Sequence, residues 1–567
     1  MLVGIDLGTT NSLISYWQDD KATLIPNSLG ELLTPSVVGL DDSGSVIVGT
    51  AAKHRLITHP KLTVANFKRY MGTNHEVTLG KQTFRPEDLS ALVLRALKED
   101  AEAFLGERIT EAIITVPAYF NDTQRKATKA AGQIAGLKVE RLLNEPTAAA
   151  LAYGIHQQDD DQKYLVFDLG GGTFDVSIVE MFDQVMEVHA SAGDNFLGGE
   201  DFKDQIVKSI LTSHKEELDI DPKSPPEGLL DRLSRQAEIA KCNLSSNNST
   251  ALKLTWNERE FQWPLTVSEF ENVCEPLINR LTLPIQRALR DAKLKVSDLD
   301  AIVLVGGATR MPMVRKLVTK LFGRFPMIEL DPDQVIAMGA GIQAALKARN
   351  EALGDVVMTD VCPYTLGIET SHQLGNNQYD HGVYAPIIER NNYIPISREQ
   401  RFFTLDENQT YINVKVYQGE HPRVKDNIFI GELNVNVPKN AAGEEAIDVR
   451  FTYDLNGLLE VEVTVVSTQN KNRIVIEENP GVLNKDEIEA RFKALSNLKM
   501  HPRDDLVNKQ LVNRAERLYS EYLGDVRAAI SHELSLFNAC LEKQDTREIP
   551  EARDRLSNFL DQLEHLR

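Results

Sequence analysis

The chain has 567 residues, 42% of them apolar and 26% charged, the make-up of a globular protein rather than a disordered or fibrous one; that length predicts about three to four domains. Its 62 Lys and Arg against 83 Asp and Glu leave a net charge of −21, which argues against a protein that coats nucleic acid, because phosphate binding needs clustered cations. No apolar run is long enough for a membrane span, the opening Met1-Leu2-Val3-Gly4-Ile5-Asp6 does not read as a signal peptide, and Cys242, Cys274, Cys362 and Cys540 are too scattered for a disulfide framework or a cysteine zinc site, so a reducing cytosol is expected.

Along the chain, the first strong pattern is Leu2 to Trp17, LVGIDLGTTNSLISYW: an apolar β-rich run, an aspartate, a Gly-Thr turn and a second β-rich run. It predicts a hairpin whose turn needs glycine for positive φ or close backbone approach. Pro86 to Leu105 then carries Leu89, Leu92, Val93, Ala96 and Leu97 at helical spacing. Asp122 to Gly136 predicts a second helix closed by glycine, and Val139 to Leu143 a strand. Tyr164 to Glu180, YLVFDLGGGTFDVSIVE, echoes the opening hairpin; Ala301 to Arg310, AIVLVGGATR, is a buried strand entering a Gly-Gly turn. The echo predicts two similar halves facing across a cleft, in an α/β region with mixed sheets that ends near Gly354.

Asp355 to Asp360 (DVVMTD) reads as a linker. From Val361 to about Glu478, short alternating runs such as Tyr411 to Val416 and Leu458 to Val463 predict an antiparallel β-sandwich; Gly375-Asn376-Asn377 and Asp454-Leu455-Asn456-Gly457 mark its turns. Asn484, with Glu487 three residues on, reads as a helix cap. The segment it opens holds 14 basic and 16 acidic residues, a net of −2, and predicts exposed helices in a hairpin or small bundle. The expected division is therefore 1–354, 355–360, 361–482 and 483–567.

Backbone N–H groups in glycine-rich turns, helped by hydroxyls, bind phosphate chains, and Gly8-Thr9-Thr10 and Gly170-Gly171-Gly172-Thr173 supply both. Each follows an aspartate, Asp6 or Asp168, and Glu145 and Asp175 extend the acidic set. Carboxylates beside phosphates make sense when a divalent cation intervenes, and Mg²⁺ takes carboxylate, water and phosphate together. The P-loop pattern and the protein-kinase motifs are absent from the sequence.

These residues resemble the seventy-kilodalton heat-shock chaperone family (DnaK-type), within the actin, sugar-kinase and heat-shock ATPase fold. The likeness covers almost the whole chain: GIDLGTTNS at Gly4 to Ser12, VPAYFND at Val116 to Asp122, NEPTAAALAYG at Asn144 to Gly154, DLGGGTFDVS at Asp168 to Ser177, GGEDF at Gly198 to Phe202, LVGGATRMP at Leu304 to Pro312, CPYTLGIET at Cys362 to Thr370 and YQGE at Tyr417 to Glu420. Its shortness and departures look most like the HscC-type bacterial branch. The resemblance implies an actin-like, two-lobed α/β ATPase domain, an antiparallel β-sandwich and a shortened helical lid. It further implies an ATP-dependent chaperone of the bacterial cytosol, a monomer that uses ATP/ADP, Mg²⁺ and K⁺ and captures extended apolar peptides, without nucleic acid or membrane.

By the same resemblance Asp6, Asp168 and Asp175 would hold Mg²⁺ through water, with Glu145 outside them, and Lys68 would orient the attacking water. Gly8, Thr9, Thr10 and Asn11 would line one phosphate loop, and Gly170, Gly171, Gly172 and Thr173 the other. Gly198, Gly199, Glu238, Lys241, Ser245, Gly306, Gly307, Arg310 and Asp333 would take the adenosine side, where Cys242 replaces an arginine that stacks on the base in some members. Glu238 and Lys241 read equally as an i,i+3 surface pair. Pro117 and Arg125 match a relay to the second domain; Arg141, Asn144 and Asp360 match the surface where linker and J-domain partner meet. A threonine interrupts the usual leucine run of the linker, which implies altered coupling between domains.

The peptide pocket implied is Ile368, Thr370, Phe402, Leu405, Ile412 and Val414, with Ser371 in place of an apolar arch residue and Leu405 bulkier than the usual alanine; the same residues suit plain sandwich core. Ser249 to Pro264 is shorter than the family's exchange-factor loop, so dependence on a nucleotide exchange factor is not expected. Two other classes fit the glycine turns: a sugar-type small-molecule kinase and an actin-like structural ATPase. Neither gives a reason for the C-terminal two-fifths of the chain.

Overall fold

Each of the two echoing hairpins sits at the centre of its own sheet. The computed structural model describes residues 1–154, 161–182, 185–226, 228–327, 329–348, 357–375, 378–454, 457, 459–475, 485–496, 503–543 and 548–565. Strand Leu2–Leu7 pairs antiparallel with Asn11–Gln18, with Asp6 opposite Leu13. Gln162–Leu169 pairs likewise with Phe174–Phe182, with Asp168 opposite Asp175. A parallel strand flanks each hairpin on the equivalent side, Glu111–Val116 in the first sheet and Ala301–Val305 in the second. Helices cover both sheets, which is why these strands read as unbroken apolar runs rather than alternating ones.

Helix Pro86–Leu105 has the predicted bounds, set by proline in the first turn and by Gly106 at φ +69° after the last. Helix Asp122–Ile134 stops short of the predicted glycine; Asn121 caps it by accepting the Gln124 N–H at 2.9 Å. Helices Glu145–Gly154 and Val335–Lys347 cross between the two sheets. A side chain on Gly339 would collide with the Ala148 backbone, so glycine is what permits this crossing. Ile113 and Leu143 of one sheet and Val166 and Val303 of the other share the core around these helices.

In the stretch read as a linker, Val357–Val361 forms a strand that adds parallel to Val185–Asp194 of the second sheet and pairs on its other side with Tyr393–Ile394. It covers what would otherwise be the open edge of Val185–Asp194, and Asp360 and Val361 are paired in turn with Ile394 and Tyr393. The segment after Ser249 is a hairpin, Ser249–Trp256 with Arg259–Thr266, turned by Asn257 and Glu258 at positive φ. Its alternation of Leu252, Leu254, Phe261, Trp263 and Leu265, all buried, carries the strand signal.

Beyond Val361 two four-stranded antiparallel sheets stack as a sandwich over Ile368, Val414, Phe451, Val461 and their neighbours. Strand Ile396–Phe403 ends before Leu405, which therefore lies in the loop that follows it. The C-terminal region forms helices Lys485–Ser496, Arg503–Glu521, Gly524–Lys543 and Glu548–His565, the last three around a core of Leu511, Ala515, Leu518, Ile530, Phe537 and Leu560. The helix Lys485–Ser496 lies on the first lobe, where Leu495 is buried and Arg491 pairs with Asp88 at 2.7 Å. The predicted turn residues 376–377 and 455–456, the capping residue Asn484, and Asp355 and Val356 lie outside the described residues. Among the described residues no helix is long and apolar enough to cross a membrane.

Candidate active site

Four carboxylates and one lysine meet at the bottom of the cleft between the lobes. Asp6 ends a strand of the first lobe and accepts the Thr115 hydroxyl at 3.0 Å from the neighbouring strand. Asp168 and Asp175 face each other across the second hairpin, and Asp175 accepts the Tyr119 N–H at 3.1 Å. Glu145, first residue of a crossing helix, pairs with Lys68 at 2.9 Å, and both are buried. Lys68 sits in the turn Phe67–Tyr70, with its ammonium 5.5 Å from the centre of the Phe120 ring.

Burial, then the charge of Glu145, pushes Asp6 up to about 7 and Asp175 up to about 8. Asp168 is held well above the usual carboxylate range by burial first, then by Glu145 and Asp175. One oxygen each of Asp168 and Asp175 is buried without a hydrogen-bond partner. Such groups are costly, and a cation with its water shell is the ligand that would relieve them. Among the described residues no three acidic or histidine groups converge closely enough to grip a metal directly. This donor set fits Mg²⁺ with water between ion and carboxylate.

The two glycine turns touch above these acids. A side chain on Gly171 would strike the Thr10 hydroxyl, and one on Gly198 the Gly171 backbone. Gly8 backs onto Asn11, Gly172 lies against Thr9, and the Gly170 N–H closes its turn on the Thr173 carbonyl at 3.1 Å. Gly8, Gly171, Gly172 and Gly198 leave no room for a side chain without a collision, whereas Gly170 has space for one, and the turns present backbone N–H groups along the floor. At the upper wall Lys241 reaches the Gly199 carbonyl at 3.2 Å and Glu238 at 2.7 Å. Lys241 is buried, so the pair is more than a solvated surface contact. Ser245 donates to the Lys241 carbonyl at 3.4 Å, and Cys242 donates to Glu238 at 3.5 Å. Gly306, at φ +81°, packs on Leu169, while Gly307 abuts Asp333, which accepts Arg310 at 2.8 Å.

A chain of buried polar contacts leads from this cleft toward the sandwich. Arg125 donates to Asn144 at 2.7 Å and to the Ala118 carbonyl at 3.0 Å, next to Pro117. Asn144 donates to Asp360 at 2.7 Å, and Thr147 joins at 3.2 Å. Arg141 instead donates to Gln343 at 3.1 Å. In the sandwich, Ile368 and Val414 are sealed in the core, whereas Thr370, Phe402, Leu405 and Ile412 are only partly buried. Ser371 bonds His381 at 2.8 Å.

Sequence reasoning missed Thr115, Tyr119 and Gln418. The Asp122 N–H donates to Gln418 of the sandwich at 3.3 Å, and Tyr364 donates to the Tyr119 carbonyl at 2.9 Å. Tyr119 lies inside VPAYFND, so its motif pointed there; nothing in the pattern around Thr115 separates it from an ordinary strand residue.

The family model described as Hsp70 protein matches residues 2–79 and 73–565. Chaperone protein DnaK of Thermotoga neapolitana is 43% identical over 486 residues, covering 84% of this chain and 80% of that protein. Chaperone protein DnaK of Thermosipho africanus is 43% identical over 485 residues, 84% of this chain and 79% of the relative. Chaperone protein DnaK of Thermotoga maritima is 41% identical over 531 residues, 91% and 87% of the two chains. With glycine loops, acids and lysine assembled in a two-lobed cleft and a sandwich and helices behind it, this chain belongs to the Hsp70 family: an actin-like ATPase domain followed by a β-sandwich and a helical lid.

Proposed function

We infer that this protein is an ATP-driven molecular chaperone in which nucleotide in the N-terminal cleft governs how the sandwich and lid hold extended apolar peptide. The observation that carries the cleft chemistry is the set of buried, incompletely satisfied carboxylates, Asp168 and Asp175 above all, beneath two glycine turns. Asp6, Asp168 and Asp175 would hold Mg²⁺ through water, and the ion would screen the phosphate oxygens as charge shifts to the leaving group. Thr9, Thr10, Asn11, Thr173 and the loop N–H groups would hold the phosphate chain in line. Lys68, fixed by Glu145, would position the attacking water and stabilise developing negative charge; phosphoryl transfer needs that more than a strong base. Glu238 and Lys241 suit ribose hydroxyls, Ser245 an adenine nitrogen, and Arg310 with Asp333 the far wall. K⁺ beside Mg²⁺ completes the ion set in this reading.

The reading divides the chain into an ATPase part at 1–354, a connector at 355–360, a peptide-binding sandwich at 361–482 and a lid at 483–567. The bonds Arg125–Asn144–Asp360 support a relay through which the cleft senses the connector. Pro117 and Arg141 flank it, and a J-domain protein is the partner this surface suits; no exchange factor is assigned. The partly buried Thr370, Phe402, Leu405 and Ile412 would meet peptide side chains, with Ile368 and Val414 as the floor. Four unpaired cysteines support a reducing, bacterial cytosolic site of action, and Cys242, Ser371, Leu405 and Thr359 support a place in the short HscC-type branch. A sugar-type kinase or a structural ATPase is not favoured by membership of this family.

The test is ATP hydrolysis with and without an unfolded peptide, paired with limited proteolysis near residues 355–360. Peptide should raise turnover, and ATP should change cleavage at the connector. Turnover that responds only to a sugar acceptor, with cleavage blind to nucleotide, contradicts the reading.

A further inference from the structure

Helix Arg503–Glu521 does more than cap the C-terminal bundle: it lies across both lobes at the mouth of the cleft. On the first lobe it packs along helix Thr50–Thr58, where the buried Asn513 donates to the Ala51 carbonyl at 2.9 Å. On the second lobe its last carbonyls find donors. Arg232 donates to the Ser520 carbonyl at 2.9 Å, and the Thr255 hydroxyl to the Glu521 carbonyl at 2.6 Å. The Glu521 carboxylate pairs with Arg235 at 3.0 Å and with Arg517 at 3.2 Å. Terminal carbonyls of a helix lack partners of their own, and cationic side chains there complement the helix dipole, so these contacts are an anchored end rather than a passing touch.

The elements anchored are those that wall the nucleotide side of the cleft. Arg232 and Arg235 share helix Leu229–Asn243 with Glu238 and Lys241, and Thr255 belongs to the short hairpin that follows it. Behind the strap, Arg514 holds Asp561 at 2.6 Å and Tyr522 donates to the Leu563 carbonyl at 2.8 Å, so the bundle moves as a unit. A ligand seated between the lobes can leave only if they part, and parting them breaks one set of these bonds.

We propose that helix Arg503–Glu521 is a strap across the nucleotide cleft, and that its hold on helix Leu229–Asn243 and the hairpin sets how fast nucleotide is released. The proposal rests on the nucleotide reading above. It makes the C-terminal bundle a regulator of exchange within the chain, not only a cover for peptide.

The experiment is stopped-flow displacement of a fluorescently labelled ADP by excess ATP from the full-length protein, its Glu521→Gln and Arg235→Ala variants, and the double variant. Losing a charge-assisted bond of this kind should speed release about tenfold in each single variant. The double variant should be no faster than either, because both act through one contact. Single-turnover hydrolysis should stay within about twofold, since neither residue lines the catalytic floor. Unchanged release in Glu521→Gln, the variant that leaves the ATPase lobes untouched, overturns the strap, as does additive acceleration in the double variant. Failure of the parent protein to bind labelled ADP at all overturns the nucleotide reading and the strap with it; tight binding with unchanged release overturns the strap alone.

Discussion

The two hairpins of the ATPase domain share topology and differ in how their acids are held. Asp6 faces the neighbouring strand and is tied by the Thr115 hydroxyl, whereas Asp168 and Asp175 confront each other with an oxygen apiece unsatisfied. One copy of the motif is thus a braced carboxylate and the other a strained pair. The difference teaches that repeating a fold element does not repeat its electrostatics: the strained copy is where a cation is most needed, and the braced copy fixes the geometry against which it sits.

The sharpest way to break this picture is through the lysine between the copies. Lys68→Ala should lower kcat on the order of 10²- to 10³-fold, the scale seen when one transition-state stabiliser is removed, while equilibrium binding of labelled ATP stays within a few-fold. Normal turnover in that variant removes the assignment. Next, Asp175→Asn takes from the pair one acid that can ionise to meet the cation. Mg²⁺-dependent turnover should fall roughly tenfold or more, a step of about 1.4 kcal/mol or above. At the same time the metal-free protein should melt at higher temperature at neutral pH, because an amide is buried there without the proton uptake that the carboxyl needs on folding. If its melting temperature falls instead, the strain argument is wrong.

The pH dependence follows from the same contrast. With Asp6 raised to about 7 and Asp175 to about 8 from a starting value of 3.8, the empty cleft keeps protons that the unfolded chain has already lost. These groups stabilise the metal-free fold below about pH 4, and that contribution fades as pH rises through 7 to 8. Mg²⁺ must displace the same protons, so its affinity should rise several-fold between pH 6 and pH 8, measured by isothermal titration in the presence of ADP. An affinity that falls over this range contradicts the site. The smallest effect is expected on the braced side. Thr115→Val strands an oxygen of Asp6 and should cost about 1–3 kcal/mol of stability by denaturant unfolding, with kcat changed less than in Asp175→Asn.

Much of this was readable because the informative residues are local. Gly8 must be glycine for a reason within its own turn, since a side chain there would strike the Asn11 carbonyl, and Pro86 with Gly106 set the ends of a helix through their own backbone preferences; Gly4, Gly171 and Gly172 are instead held small by distant segments. That Val357–Val361 pairs as a strand within the stretch read as a linker was not legible, because a short strand carries no signal of its distant partners. Thr115 and Tyr119 were missed for a similar reason: their roles are defined by what lies 109 and 56 residues away, at Asp6 and Asp175.

The sequence by itself determined the two hairpins, the glycine turns with Asp6, Asp168 and Asp175 beside them, and the change of texture into sandwich and helices, because periodicity and turn chemistry act within a few residues; Lys68 followed only from the family resemblance. Only the tertiary structure decided that Asp168 and Asp175 are left short of partners while Asp6 is not, that the connector is a strand, and that helix Arg503–Glu521 spans both lobes. Those outcomes depend on desolvation and on contacts between distant segments, and neither has a local signature in the chain.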